Sequence, residues 1–151
     1  MARWGMLCAI GAAAILLAGC EEPYVIDGPP EFEVGTGAYA FEAVTSGEVL
    51  EIVHGPQGGD HVWLGVRVVN MQPKRFHLES TMVTVGDEEV VGFPLFFDVD
   101  LFVGPSGDLE FAGLPLQVDP DEVRGVEIRA MIEAVDRDGR TMIGSMQIVP
   151  Q

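Results

Sequence analysis

The chain has 151 residues, with 24 acidic against 8 basic side chains and a formal net charge of −16. That charge argues against nucleic acid as a partner and against peripheral docking on anionic lipid. Hydrophobic residues make up 48% of the chain and are well dispersed, which excludes global disorder.

Arg3 precedes an uncharged, mostly apolar run from Gly5 to Leu17. The run is too short to cross a bilayer comfortably, since a transmembrane helix needs about 20 apolar residues. A short apolar core that ends in small residues is the pattern of a cleaved export signal. The tetrapeptide Leu17-Ala18-Gly19-Cys20 resembles the bacterial lipobox. In that motif the cysteine sulfur takes up a diacylglycerol and the chain is cut before it. Small residues ahead of the cut let the backbone enter the peptidase groove. Residues 1–19 are therefore expected to be a lipoprotein signal peptide. Cys20 is expected to carry the lipid anchor, palmitate included. Each buried CH₂ contributes about 0.8 kcal/mol, so several acyl chains hold firmly. The expected location is the cell envelope. The outer membrane is favoured, because residues 21 and 22 are Glu, a poor match to the Asp that favours inner-membrane retention in some enteric bacteria.

Cleavage would leave 132 residues, enough for one domain with a real core. Seven basic residues would then stand against 24 acidic ones, a net charge of −17. Of the two cysteines, Cys8 leaves with the signal and Cys20 is lipidated. The mature domain then has no disulfide, no thiol catalysis and no cysteine metal site, although it enters an oxidising compartment.

Residues 20–37 contain Pro23, Gly28, Pro29, Pro30 and Gly35 and five acidic residues. This composition predicts an extended acidic tether, with a short edge strand over Phe32–Val34. Residues 38–151 are expected to form the domain. From Ala38 onward the dominant period is two. Val49 to Val53 alternates. In the stretch from His61 to Val69, Val62, Leu64, Val66 and Val68 share one face, and His61, Trp63, Gly65 and Arg67 the other. Phe76, Leu78, Ser80 and Met82 share a face, as do Leu95, Phe97, Val99, Leu101 and Val103, and Val126, Ile128, Ala130 and Ile132. Asp119 to Val123 suits one helical turn. Asp136-Arg137-Asp138-Gly139-Arg140 is a hairpin turn, and Thr141 to Val149 is the returning strand. About seven strands broken by Gly, Pro and Asp predict an all-β fold. Its form is an immunoglobulin/fibronectin-III-like antiparallel β-sandwich.

The run His54-Gly55-Pro56-Gln57-Gly58-Gly59-Asp60-His61-Val62-Trp63, with Gly35-Thr36-Gly37, Phe41-Glu42 and the closing Val135-Asp136-x-Asp138-Gly139-Arg140, is distinctive. It resembles a group of uncharacterised short myxobacterial-type lipoproteins. In these a G-P-Q-G-G-x-H-x-W segment also joins two early strands. The resemblance implies fold and location and carries no established activity.

The candidate sites follow from residue type. Gly55, Pro56, Gln57, Gly58, Gly59 and Asp60 form a turn whose amides could line an anion or peptide site. With Trp63, read as exposed, this loop is the candidate partner contact. His54, Asp60 and His61 are a candidate Zn²⁺ or Cu²⁺ set. Parity opposes it: His54 shares a face with Leu50 and Ile52, read as inward, and His61 shares one with Trp63 and Arg67, read as outward. His77 reads as a surface strand residue, and Asp98 and Asp100 as solvated carboxylates. Met142 and Met146 share parity and read as core. Asp136-x-Asp138-Gly139 lacks the later ligands of a calcium loop. Ser46, Ser80, Ser106 and Ser145 lack a nucleophile setting. The sequence thus points away from an enzyme and from any cofactor. It points to a lipid-anchored binding or assembly module with an envelope protein partner, and alternatively to an envelope metal-binding protein using His54, Asp60 and His61.

Overall fold

The structure is a computed structural model and describes residues 27–56, 58–71 and 74–151. Residues 1–19, the expected signal peptide, and Cys20 and Gln57 lie outside the described residues. Ten strands and one helical turn occur among those described: β1 (Glu31–Gly35), β2 (Glu48–Leu50), β3 (Val53–His54), β4 (Asp60–Val69), β5 (Arg75–Thr84), β6 (Val90–Asp100), β7 (Phe102–Val103), β8 (Leu109–Val118), α1 (Pro120–Val123), β9 (Ile128–Asp136) and β10 (Thr141–Pro150). They form two sheets. One has the order β1-β4-β8-β7, with β3 also on β4; the other has the order β2-β10-β9-β5-β6. All pairs are antiparallel except β2 with β10. This is an immunoglobulin-like sandwich, with seven strands of five residues or more. No helix among the described residues is long and apolar enough to cross a membrane.

The period-two rows become the core. Val62, Leu64, Val66 and Val68 of β4 are fully buried, and Phe76, Leu78 and Met82 of β5 nearly so. On the inner face of β9 and β10, large residues sit beside small ones. Met146 pairs with Ala130, Ile132 with Gly144, and Met142 with Ala134. A side chain at Gly144 would lie 2.7 Å from Val34, so β10 and β1 approach closely across the sandwich. The two methionines thus fill core space.

The helical turn starts where expected. Asp119 caps it by accepting from the Asp121 N–H at 2.9 Å, and Pro120 opens it.

Three expectations are corrected. First, the sandwich begins at Glu31 and not after residue 37. Phe32 and Val34 turn toward the core, and the Arg67 guanidinium of β4 pairs with Glu33, so β1 runs its full length along β4. Asp27 is already fixed, its N–H donating to Asn70 Oδ1 at 3.0 Å. Second, Val49 to Val53 is not one strand. β2 joins β10 in one sheet and β3 joins β4 in the other, and Ile52 N–H and Gln151 N–H link the crossing to the chain's last residues. Third, three apolar positions placed on inward faces are exposed. Val126 precedes β9; Phe97 lies on the edge strand β6; and Val103 follows Leu101, where the chain crosses to the other sheet.

The β9–β10 hairpin is built on Asp136, whose carboxylate is buried. Its Oδ1 accepts from the N–H groups of Asp138 (2.8 Å) and Arg140 (2.9 Å), and its Oδ2 from Arg140 Nε (2.6 Å). Burial by itself would raise its pKa. The Arg140 backbone and side-chain hydrogen bonds, the Asp138 N–H and the Arg140 charge outweigh burial and hold it below the ordinary carboxylate value. Asp136→Ala is expected to cost about 2 kcal/mol in urea denaturation, since buried donors lose a charged acceptor. With the folded pKa depressed, this stabilisation is complete above the unfolded-state value of about 3.9 and is lost as pH falls through the lower folded-state value. A variant with unchanged midpoint and unchanged acid limb would refute the role.

Candidate functional site

The loop between β3 and β4 closes a tight hairpin, in which His54 faces Asp60 and Val53 faces His61. Gly58 (φ +84°) and Gly59 (φ +92°) occupy the left-handed region, which a residue with Cβ adopts at a cost. Gly55 N–H donates to Gly59 C=O at 2.9 Å, and Gly58 N–H to Gly55 C=O at 3.0 Å. Those two amides serve the turn and are not available to an anion.

The outer face of β4 decides what lies beside the loop. Residues 36–44 fold over this face. Thr36 Oγ1 donates to Trp63 C=O at 2.7 Å, and Phe41 packs against Gly35 and Gly65 beneath the Arg67 guanidinium, 4.7 Å from the ring centre. Gly65 must lack a side chain, because a Cβ there would lie 2.6 Å from Thr36 C=O. This cover stops short of the loop. There, Pro56, His61, Trp63, Pro115 and Gln117 line an open cavity of about 290 Å³ with the loop glycines and Asp60. Trp63 also borders a second depression of about 260 Å³ under Thr36–Ala38. It is half-buried and forms the wall between the two, not the fully exposed residue that strand parity alone implied.

The two loop histidines lie on opposite faces, as parity requires, but their exposures are the reverse of those expected. The His54 side chain is 73% exposed, its Nδ1 3.2 Å from Asp60 Oδ1. His61 is only 8% exposed. His54 pairs with Asp60 at the open end of the sheet, whereas the outward-facing His61 is covered by the turn, with Gly55 close to its ring. The His61 ring stands edge-on to Trp63, with centroids 4.4 Å apart and planes at 74°. Among the described residues, its Nε2 is buried without a hydrogen-bond partner. His54 and Asp60 come together, but His61 occupies the opposite face of the hairpin. Among the described residues no group of three His, Cys, Asp or Glu could hold a metal ion.

A second polar cluster, not found from sequence, lies on the outer face of the other sheet. His77 Nδ1 is 2.9 Å from Asp98 Oδ1, and its Nε2 is 3.4 Å from Glu79 Oε1. The Asp98 hydrogen bond raises the His77 pKa; slight desolvation opposes it, and the charges of Asp98 and Glu79 add to the rise. The signal was present in the cross-strand pairing of His77 with Asp98, which needs the register to be known. Asp98 therefore partners His77, while Asp100 lies opposite Arg75.

What this site offers chemically is recognition: an aromatic wall, two prolines, an exposed imidazole–carboxylate pair and one buried ring nitrogen. An unpaired buried nitrogen is a local instability. His61→Phe, which keeps the ring and removes the nitrogen, is expected to stabilise the fold by about 1 kcal/mol in urea denaturation. A loss of stability of that size would show that Nε2 is satisfied. No protein-family model matches the chain, and no curated protein or solved structure is detectably similar to it.

Proposed function

We propose that the protein is a non-catalytic binding or assembly module of the cell envelope. It is held at the outer membrane by lipid on Cys20 and contacts an envelope protein partner through the Gly55–Asp60 loop and Trp63. The resemblance to myxobacterial-type lipoproteins belongs to the same reading. The observation that carries the contact site is the cavity between the loop, Trp63 and Pro115, with His61 Nε2 buried beside it and unpartnered among the described residues. Aromatic walls with few polar groups favour binding over turnover. Its titratable neighbours, His54 and Asp60, pair with each other toward solvent.

Geometry supports the orientation. Asp27 is fixed to Asn70 just after β4 ends, and the loop lies just before β4 begins. Ten strand residues, about 30 Å, separate the two ends. A chain anchored at Cys20 would present the loop away from the membrane, where a partner can reach it.

The test is crosslinking in native envelopes with a C-terminally tagged chain. Cys20→Ser is expected to abolish acyl labelling and release the protein from the membrane fraction. Trp63→Ala and Gln57→Ala are expected to leave the protein anchored and folded while removing a crosslinked partner. An anchored, folded Trp63→Ala chain with unchanged partners would rule out this contact surface. Unchanged membrane attachment of Cys20→Ser would rule out the anchor.

A further inference from the structure

We propose that the depression on the far side of Trp63 from the loop, bordered by Glu42 and Glu51, binds an arginine side chain of a partner protein. The inference deepens the reading of Trp63 as a contact and rests on it. What it adds is the chemistry that Trp63 meets.

The depression, of about 260 Å³, is built by segments that only the fold brings together. The β2–β3 crossing supplies Leu50, Glu51 and Val53, residues 36–44 supply Thr36 and Glu42, and Trp63 of β4 is the wall. Leu50, Val53 and Trp63 are the kind of apolar surface on which a methylene stem lies. The free polar side chains, the indole N–H apart, are acceptors. The Thr36 hydroxyl already donates to Trp63 C=O at 2.7 Å. Glu42 and Glu51 are exposed, and among the described residues neither has an ion-pair partner. This separates them from Glu33, Glu88, Asp98 and Asp136, each of which is paired with a basic side chain of this chain.

The same sheet face shows what completes such a set. The Arg67 guanidinium lies over the Phe41 ring, 4.7 Å from its centre, and pairs with the Glu33 carboxylate. There, ring, carboxylate and guanidinium all come from this chain. Beside it, Trp63, Glu42 and Glu51 repeat the ring and the carboxylates without the cation. Indole is the best of the aromatic side chains for a cation, and a planar guanidinium both stacks on it and donates to carboxylates through its fork of N–H groups.

Other occupants fit less well. Two carboxylates supply too few oxygens for a calcium ion, which takes about six to eight. A second copy would approach with its own net charge of −16. The occupant is therefore an arginine on another protein, its stem against Leu50 and Val53 and its fork toward the two glutamates.

Nuclear magnetic resonance of the full chain in dodecyl maltoside micelles tests this, read at the Trp63 indole N–H signal, which Trp63→Phe assigns. The probes are acetyl-Ala-Ala-Arg-Ala-Ala-amide and the same peptide with citrulline or lysine in place of arginine. Citrulline keeps the shape and loses the charge. The arginine peptide is expected to move the signal saturably and to bind about tenfold tighter than the citrulline peptide and about threefold tighter than the lysine peptide. Glu42→Gln combined with Glu51→Gln is expected to weaken binding about fivefold or more, with the other signals of the chain unmoved. A response that does not saturate, citrulline or lysine binding as tightly as arginine, or a double variant that binds like the parent would overturn the proposal. So would a dimer in light scattering that the double variant disperses, because a second copy would then fill the site. Failure of the arginine peptide, with Trp63→Ala still removing the crosslinked partner, would strike this inference alone. Arginine-specific binding, with crosslinked partners unchanged by Trp63→Ala, would uphold the arginine site and strike the contact assigned to the loop.

Discussion

The close fit of two inward rows holds this domain together, because residues 27–151 contain no cysteine to pin the sheets. Antibody-type sandwiches of this topology have an inter-sheet disulfide. Here Val62, Leu64, Val66 and Val68 face the opposite sheet with no exposure. Each contributes about 1.5–3 kcal/mol on burial, so the four together are comparable with the net stability of about 5–15 kcal/mol of a typical domain. The margin makes packing detail matter. Met146 beside Ala130 and Ile132 beside Gly144 keep the layer even, and Gly144 lets β1 close over β10. Register follows from this row, since a slip of one residue would turn all four side chains to the other face.

With the inner row fixed, the outer face of β4 is fixed too: His61, Trp63, Gly65 and Arg67. Half of it is roofed. Gly35 and Gly65 admit Phe41, Arg67 covers Phe41, and Gly113, bulged at φ +81°, admits Ala38 C=O where a Cβ would lie 2.7 Å away. The roof ends at Trp63. Beyond it the sheet is closed only by the 55–59 turn, and the gap between roof and turn is the cavity. The candidate site is therefore a by-product of how the chain crosses from β1 to β2 over the outside of the first sheet. His61 is buried because the turn folds back over it, with Gly55 close to its ring.

Much of this was legible in the alternation of single strands. The faces of β4, β5 and β9, the hairpin at Asp136 and the capped turn at Asp119 are local patterns, and they follow from period, glycine placement and Asx chemistry. Three other features are not local. The strand break after Leu50 depends on which sheet each half joins, so the exposure of His54, at the end of the first sheet, could not follow from Leu50 and Ile52. The half-burial of Trp63 depends on residues 36–44, far away in sequence. The exposure of Phe97 depends on β6 being an edge, although its parity is inward and its neighbours Leu95 and Val99 are buried. In each case the sequence carries the direction of a side chain, and the topology determines what that side chain meets.

The same topology separates charge. The β4–β5 and β9–β10 connections meet at the end where the chain enters, and they and the first residue of β5 hold Lys74, Arg75, Arg137 and Arg140, four of the seven Lys and Arg beyond residue 26. The opposite end gathers Glu48, Glu51, Asp60, Asp87, Glu88, Glu89, Asp119, Asp121, Glu122 and Glu127. There Arg129 is taken up by Glu88 at 3.1 Å, which leaves Arg124 as the other basic side chain at that end. The molecule is therefore electrically lopsided along the strand axis, with its more negative end at the Gly55–Asp60 loop. Such a field raises the encounter rate of a positively charged partner and turns it toward that end before contact. Screening at physiological salt confines the effect to about 8 Å from the surface. Within that range the loop, its cavity and the start of β6 all lie at or near the acidic end. Attraction there is long-ranged only relative to the shallow apolar contacts that must follow. A partner that is basic at its margins and apolar at its centre therefore matches both stages, steering first and burial second.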